Sequence, residues 1–361
     1  MKFAFLFTQL EIGGVQTRVM QTASELRSKG HEVDVFALYQ ARACFENEDK
    51  TILSSGKKPI ALLKGIFKFW KILRSGKYDV LITNTAPANI IGNSVGLLAG
   101  QKKRISWQTQ PPQRISKLFQ RLDHLMGRLG VYSITIANSS WTRSCFEGRA
   151  ESYLKRMKTI MNGIDPRVDP RSRNEARNEL GLDLSAKIIT TVGRLSEQKG
   201  QITLLEAIKN VPDVQLYLIG DGELRTEMEQ SIESLGLSDR VALVGEIPGE
   251  KVATYLRASD AFAFPSRWET FGLAVIEAAA SGIPLISSDL DVLKEVLSLE
   301  DGTPAAQMVP VNNPEAWSAA ISDVFEDDEL RSSLANRSLA VSRRHSLETH
   351  VVNILELVEG I

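Results

Sequence analysis

With 361 residues the chain is long enough for two hydrophobic cores, and at 43% hydrophobic and 24% charged it is neither disordered nor fibrous. Its two cysteines, Cys44 and Cys145, lie too far apart for a disulfide framework or a metal cluster and favour a reducing cytoplasm. The formal net charge of −1 hides an asymmetry: residues 1–165 carry 25 Lys/Arg against 12 Asp/Glu, a net +13, and residues 166–361 carry 18 against 32, a net −14. A basic half of this kind attracts nucleotides, nucleic acid or anionic lipid headgroups.

The first apolar run, KFAFLFT, ends too soon at Gly13-Gly14 for a signal peptide and reads as a buried strand ahead of a helix over VQTRVMQTASELRSKG. His31 in GHEV marks the entry to a second strand, EVDVFAL, and YDVLITNT, KRISWQT and SITIANSS follow. Val80 to Gln101 holds no charge over 22 residues, the length of a membrane span. Asn84, Pro87, Asn89, Gly92 and Asn93 make it a poor one, so it reads as a strand, a turn at Pro87 and a small-residue helix. After the turn-rich stretch MNGIDPRVDPRSR (161–173) the alternation restarts. AKIITTVG precedes the helix-like QITLLEAIKN, VQLYLIG precedes ELRTEMEQSIESLG, and RVALVGEI precedes EKVATYLRAS. AFAFPS, RWETFGLAVIEAAA and IPLISS complete the series. Strands alternating with helices predict parallel sheets covered on both faces. The expected organisation is two doubly wound α/β domains, 1–163 and 164–344, facing across a cleft, with a terminal helix over 345–361.

In such sheets ligands bind beyond the carboxyl ends of strands, where the informative motifs fall. Gly13-Gly14 brings bare amides to a helix start, although a Gly-Gly pair alone is as consistent with a plain tight turn. Neither it nor GDGELR (220–225) completes the G-x-G-x-x-G of a dinucleotide enzyme, which argues against an NAD-dependent dehydrogenase. GRLSEQKG (193–200) places Arg194 and Lys199 after a strand, where two cations suit a diphosphate; the alternative is a solvated pair. Glu269 and Glu277 stand eight residues apart in RWETFGLAVIE, and on one continuous helix they would diverge by about 80°. They converge if Glu269 is on a loop and the helix starts near Thr270–Phe271. The amides of Phe271, Gly272 and Leu273 are then unpaired, and Glu277 lies two turns in, able to accept from a ribose diol. The alternative is a surface Glu277 with Glu269 acting only on the helix dipole. Asp289-Leu290-Asp291 spells a metal-chelating Asp-x-Asp but reads better as a turn and helix cap, and the four histidines share no ligand spacing. No metal and no cofactor are expected.

Taken together, PSRWETFGLAVIEAAASGIPLISS, GGVQTRVMQTASELRSKGHEV, IANSS, IMNGID, GRLSEQKG, LIGDGELR and VALVGEIP resemble, in order and over nearly the whole chain, the family-four retaining glycosyltransferases of GT-B fold. The resemblance implies that Glu277 holds the ribose of a nucleotide-sugar and Glu269 touches the sugar. It implies that the amides of Phe271 to Leu273 contact sugar and phosphate, and that Arg194 and Lys199 clamp the diphosphate. Gly13 and Gly14 approach the donor from the other domain, and the last helix crosses back onto the first domain. Metal is not needed, because cations and helix dipoles stabilise the leaving group. Three positions depart from the family pattern. The histidine that many relatives carry after the strand in RISWQTQPP is absent here, where Gln110 is the best match and Thr109 or Gln108 are others; glutamine cannot transfer a proton. SDLDVLKEV stands where relatives often carry Gly-Gly, and Gln16 replaces a usual glutamate.

Two basic, apolar segments bear on the acceptor. ALLKGIFKFWKILRSGK (61–77) mixes Phe67, Phe69 and Trp70 with Lys64, Lys68, Lys71 and Arg74, and PQRISKLFQRLDHLMGRLG (112–130) is similar. Each is either a core-facing stripe with a solvated basic edge or an interfacial helix on an anionic leaflet, and the +13 half favours the leaflet. The expected protein is a cytoplasmic hexosyltransferase, peripheral on the inner face of the membrane. It would use a UDP- or GDP-sugar and a lipid-linked saccharide of bacterial surface polysaccharide or lipopolysaccharide. A catalytically silent sugar-nucleotide-binding subunit is the alternative. No nucleic-acid recognition module is present.

Overall fold

The computed structural model describes residues 1–10, 13–40 and 50–360, and Cys44 lies outside them. The chain divides into two compact units, Met1–Asp165 with Ser346–Ile361, and Pro166–His345. The first unit is built on seven parallel strands: β1 (Lys2–Leu10), β2 (Glu32–Gln40), β3 (Lys50–Ile52), β4 (Val80–Asn84), β5 (Lys103–Gln108), β6 (Ile134–Ala137) and β7 (Met157–Thr159). Their order is β3-β2-β1-β4-β5-β6-β7. β1 lies inside, and Phe3 through Phe7 are fully buried because a central parallel strand is covered on both faces. Phe3, Phe5 and Phe7 pack with Val19, Ala23 and Leu26 of helix Gly14–Ser28. Val351, Ile354 and Val358 of the last helix, Leu347–Glu359, complete that core. Ala4 and Leu6 point the other way, onto Phe69 and Leu73 of helix Pro59–Ser75 and Ala88 and Val95 of helix Ala86–Leu98.

The uncharged stretch 80–101 is therefore β4 and a buried helix. Its polar side chains are spent internally: Thr83 donates to Asn89 (2.8 Å), Asn89 to the Trp107 carbonyl (3.0 Å) and Asn93 to Thr83 (2.6 Å). Among the described residues no helix is long and apolar enough to cross a membrane.

The last helix is tied down where the chain re-enters the first unit. Ile164 forms a bridge with Ser346, and the Leu347 amide donates to the Ile164 carbonyl at 3.0 Å. His350 donates from Nδ1 to the Met161 carbonyl (2.8 Å), with its ring 5.3 Å from that of Trp107. On the same Trp107 ring rests the Arg18 guanidinium, 4.1 Å away, which also donates to Asn84. Burial draws the Arg18 guanidinium down to about 9, and burial with the Arg18 charge draws the His350 imidazole down to about 3. The last segment adds three carboxylates and no cation, which takes the first unit from +13 to +10.

The second unit has six parallel strands: β8 (Lys187–Val192), β9 (Val214–Ile219), β10 (Val241–Gly245), β11 (Ala261–Phe264), β12 (Leu285–Ser288) and β13 (Ala306–Val309). Their order is β10-β9-β8-β11-β12-β13. Leu204, Leu205 and Ile208 from helix Ile202–Ile208 and Trp317, Ile321 and Val324 from helix Pro314–Glu326 share a core with Ile189, Leu216 and Ile286. The Trp317 indole N–H is satisfied by the Pro310 carbonyl at 3.2 Å. In each sheet the chain steps outward from its first strand, returns beside it and proceeds the other way. The loops after β1 and β4, and after β8 and β11, thus leave on opposite sides of the sheet and open a crevice between them.

Candidate active site

Seven of the sequence-derived site residues lie in the second unit, at the switch point between β8 and β11. The β8 loop is anchored first to its neighbour: the Gly193 amide donates to the Ile219 carbonyl (2.9 Å) and the Leu195 amide to the Asp221 carbonyl (3.2 Å). It is then anchored to the β11 loop, because the Arg267 amide donates to the Gln198 carbonyl (2.8 Å) and Gln198 Nε2 to the Trp268 carbonyl (3.2 Å). Gly200 makes this approach possible. Its φ is +62°, and a Cβ there would stand 2.4 Å from the Pro265 carbonyl oxygen.

These backbone contacts bring Lys199 onto Glu269. The ammonium lies 2.5 Å from Glu269 Oε1, which also accepts from Ser266 Oγ at 3.0 Å, and 4.8 Å from the centre of the Phe264 ring. Glu269 is only 6% exposed, so its charge is balanced by the pair rather than by water. Lys199 retains two further N–H donors. Arg194, one turn of loop earlier, is exposed.

The helix carrying Glu277 starts later than the sequence suggests. It spans Leu273–Ala280, and Gly272 precedes it with φ +90° and ψ +56°. Such a left-handed residue cannot belong to a right-handed helix, so the helix cannot begin at Thr270–Phe271. Phe271 is instead buried, its ring edge-on to His345 at 5.2 Å, and only its backbone faces the loop chemistry. Glu277 is consequently the fifth helical residue, little more than one turn in rather than two. It is half-buried, not a surface side chain. Burial pushes its carboxyl up to about 7, against the pull of the Arg167 and then the Lys199 charge. No hydrogen bond among the described residues contributes to that balance. A carboxylate in this setting is an acceptor awaiting donors.

Three groups that sequence reading missed complete the surroundings. Ser266 had a local signal, a hydroxyl three residues before Glu269; Phe264 and Arg167 had none, because only the fold brings them near Lys199 and Glu277. Asp289-Leu290-Asp291 is not a helix cap as expected. Leu290 occupies the cap, Asp291 is the first residue of helix Asp291–Val296, and Asp289 lies 3.9 Å from Lys294. Among the described residues no group of three His, Cys, Asp or Glu side chains is arranged to hold a metal ion.

The other three site residues lie in the first unit, also at the carboxyl edge of its sheet. Gly13 caps and Gly14 opens helix Gly14–Ser28 after β1. The β5 register settles which glutamine is available. Gln108 is the last residue of β5, buried, and donates to Asp123 (2.9 Å) and the Tyr153 hydroxyl (3.0 Å). Thr109 is buried and Gln110 is exposed. Nearby, Thr85 follows β4 with φ +77°, rare for a β-branched residue, and its hydroxyl is 2.5 Å from that of Thr8.

Comparison with known proteins agrees with this fold. Residues 12–168 match the model for Glycosyltransferase Family 4, and residues 172–340 match that for Glycosyl transferases group 1. This chain belongs to the family-four glycosyltransferases. A phosphatidyl-myo-inositol mannosyltransferase of Mycolicibacterium smegmatis is 26% identical over 96% of this chain and 91% of its own. A D-inositol 3-phosphate glycosyltransferase of Corynebacterium urealyticum is 31% identical over 50% of this chain, and the match spans only 45% of that relative. The crystal structure of Anabaena Alr3699/HepE in complex with UDP-glucose superposes with a TM-score of 0.86 at 22% identity, covering both chains completely. The two parallel-sheet units are those of the GT-B fold.

The Glu277 environment generates a pH prediction. Between pH 4.5 and about 7 the folded state keeps a proton that the unfolded chain has released, so stability falls as pH rises through this window. Urea unfolding of the second unit should show wild type losing about 2 kcal/mol relative to Glu277→Gln between pH 5 and pH 8. Parallel pH profiles for the two proteins would mean that Glu277 is solvated.

Proposed function

We propose that this chain transfers a hexosyl group from a nucleotide-diphosphate sugar to a hydroxyl acceptor, with retention of anomeric configuration and without a metal ion. The observation that carries the reading is the Lys199–Glu269 pair, fixed across the switch point with Glu277 in electrostatic reach. A diphosphate takes the Arg194 guanidinium and the spare Lys199 protons, with the amides of Phe271, Gly272 and Leu273 beside it. Glu277 accepts from the ribose diol, which offsets its burial, and Glu269 accepts from the sugar. As the bond from the anomeric carbon to the phosphate oxygen breaks, its electron pair passes to the diphosphate, where both cations hold the new charge. The acceptor oxygen bonds to the same face of the anomeric carbon, and its proton goes to the departing phosphate oxygen. Gly13, Gly14 and Gln110 supply the remaining contacts to the reacting sugar and acceptor. Gln110 acts by hydrogen bonding alone.

A UDP- or GDP-sugar is the donor class; a structural neighbour of this chain holds UDP-glucose. For the acceptor we assign a lipid-linked saccharide of bacterial surface polysaccharide or lipopolysaccharide, met at the cytoplasmic face of an anionic membrane. Support comes from the +10 charge of the first unit and from helix Pro59–Ser75. Ile60, Leu63 and Phe67 there are 72%, 65% and 55% exposed, interleaved with Lys64, Lys68 and Lys71. A full-length relative is named for a phosphatidylinositol acceptor.

Three outcomes test the chemistry. Arg194→Ala and Lys199→Ala should each reduce kcat/KM for donor by about 10- to 100-fold, the worth of one charge-assisted contact, with the fold intact by circular dichroism. Normal turnover in either would remove the clamp assignment. In calorimetry with UDP or GDP, Glu277→Gln should weaken nucleotide binding by about 1–3 kcal/mol, whereas Glu269→Gln should bind the nucleotide yet fail in transfer. Equal loss of nucleotide affinity in both variants would contradict this division of the donor. Activity should survive EDTA, and Asp289→Asn should be mild; loss on chelation restored by Mg²⁺ or Mn²⁺ would overturn metal independence.

A further inference from the structure

The amino-terminal edge of the first sheet, opposite the loops that carry Gly13, Gly14 and Gln110, holds a cavity of about 690 Å³. Arg74, Lys77, Lys102 and Lys103 line it, and Asp79 is its one acidic lining residue. Asp79 already accepts the Lys2 amide at 2.7 Å, and the Lys103 ammonium donates to the Val358 carbonyl at 2.6 Å. Helices Pro59–Ser75 and Ala86–Leu98 both end here, contributing about half a negative charge each. With Asp79 they offset about two of the four cations, and a positive surplus remains. Gln101 supplies a second, independent signal. It is 7% exposed, its Nε2 donates to the Leu73 carbonyl at 3.1 Å, and its Oε1 is buried with no partner among the described residues. A hydroxyl or N–H from a ligand would satisfy this amide oxygen. Beside the cavity, Leu97 and Leu98 are 48% and 73% exposed, directly ahead of its Ala99–Lys103 wall.

Cations for a phosphate, an acceptor for a hydroxyl and an apolar lip form one arrangement. We propose that this cavity binds the phosphoglycerol headgroup of an anionic phospholipid, with the acyl chains against Leu97 and Leu98. The lipid source of that headgroup rests on the membrane docking proposed above; the chemistry of the cavity does not.

The test uses the full chain in sedimentation with vesicles of matched negative charge, containing either phosphatidylglycerol or phosphatidylmethanol, which carries the same phosphate with no headgroup hydroxyl or N–H. A surface that senses only charge binds both equally, whereas the cavity should favour phosphatidylglycerol. Lys77→Asn/Lys102→Gln removes two cations while asparagine tolerates the left-handed backbone of Lys77 (φ +50°). This variant should keep its melting temperature, bind phosphatidylglycerol about fivefold more weakly per lysine and lose the preference. Ile60→Ser/Phe67→Ser should weaken binding to both vesicles and leave the preference in place; unchanged binding there would sink the helix-face docking alone. Equal wild-type affinity for the two vesicles, or a preference surviving in the cavity variant, overturns the proposal. So does a melting shift with soluble glycerol phosphate without vesicle preference, which would make a free phosphorylated polyol the ligand.

Discussion

The candidate site in the second unit depends on one ion pair, Lys199 with Glu269, which joins two loops leaving the sheet in opposite directions. Lys199 follows β8, and Glu269 follows β11, separated by 70 residues of chain. A carboxylate as buried as Glu269 persists as an anion only with a cation against it, and the cation needs a fixed backbone to stay there. Gly200 against Pro265, and the Gln198 and Arg267 backbones against each other, provide that fixity. The strand order places these loops side by side, so the architecture of the sheet and the electrostatics of the site are one constraint.

Glu277 follows from the same arrangement. Its helix is apolar because it packs on the sheet, with Val275, Ile276, Ala278 and Ala279 buried. A carboxylate there is raised by burial, and Lys199 and Arg167 prevent it from being raised further. The chain thus holds one carboxylate paired with a cation, on the loop before the helix, and another eight residues on, inside the helix, without a hydrogen-bond donor among the described residues. That difference separates a group already committed to a cation from one waiting for hydroxyls.

The first unit solves a different problem. Its Arg18 is a buried cation balanced by no carboxylate among the described residues, and it is held by the Trp107 face and the Asn84 oxygen. The Trp107 ring also meets His350, so the final helix is locked to the sheet through an aromatic ring shared by two basic side chains. Positive charge gathers on the outer helices and at the amino-terminal edge, while acidic residues accumulate in the second unit. The surfaces of the two units therefore favour different chemistries of partner.

Much was legible in the sequence because parallel strands buried on both faces are written as continuous apolar runs, and ten of the strands were visible as such. β3, β7 and β13 were not: KTI, MKT and AQMV are three or four residues at sheet edges, too short for any period to show. The candidate residues Arg194, Lys199, Glu269 and Glu277 were legible because loops after strands are short and carry few other reasons for charge. Sequence also limited the position after the fifth strand to Gln108, Thr109 or Gln110, and only the fold shows Gln108 committed to Asp123 and Tyr153. The later start of the Glu277 helix, the pairing of Lys199 with Glu269 and the approach of Arg167 were decided by tertiary structure alone. Local sequence determines which residues leave a strand, whereas contacts across strands, tens of residues apart, determine which charges meet.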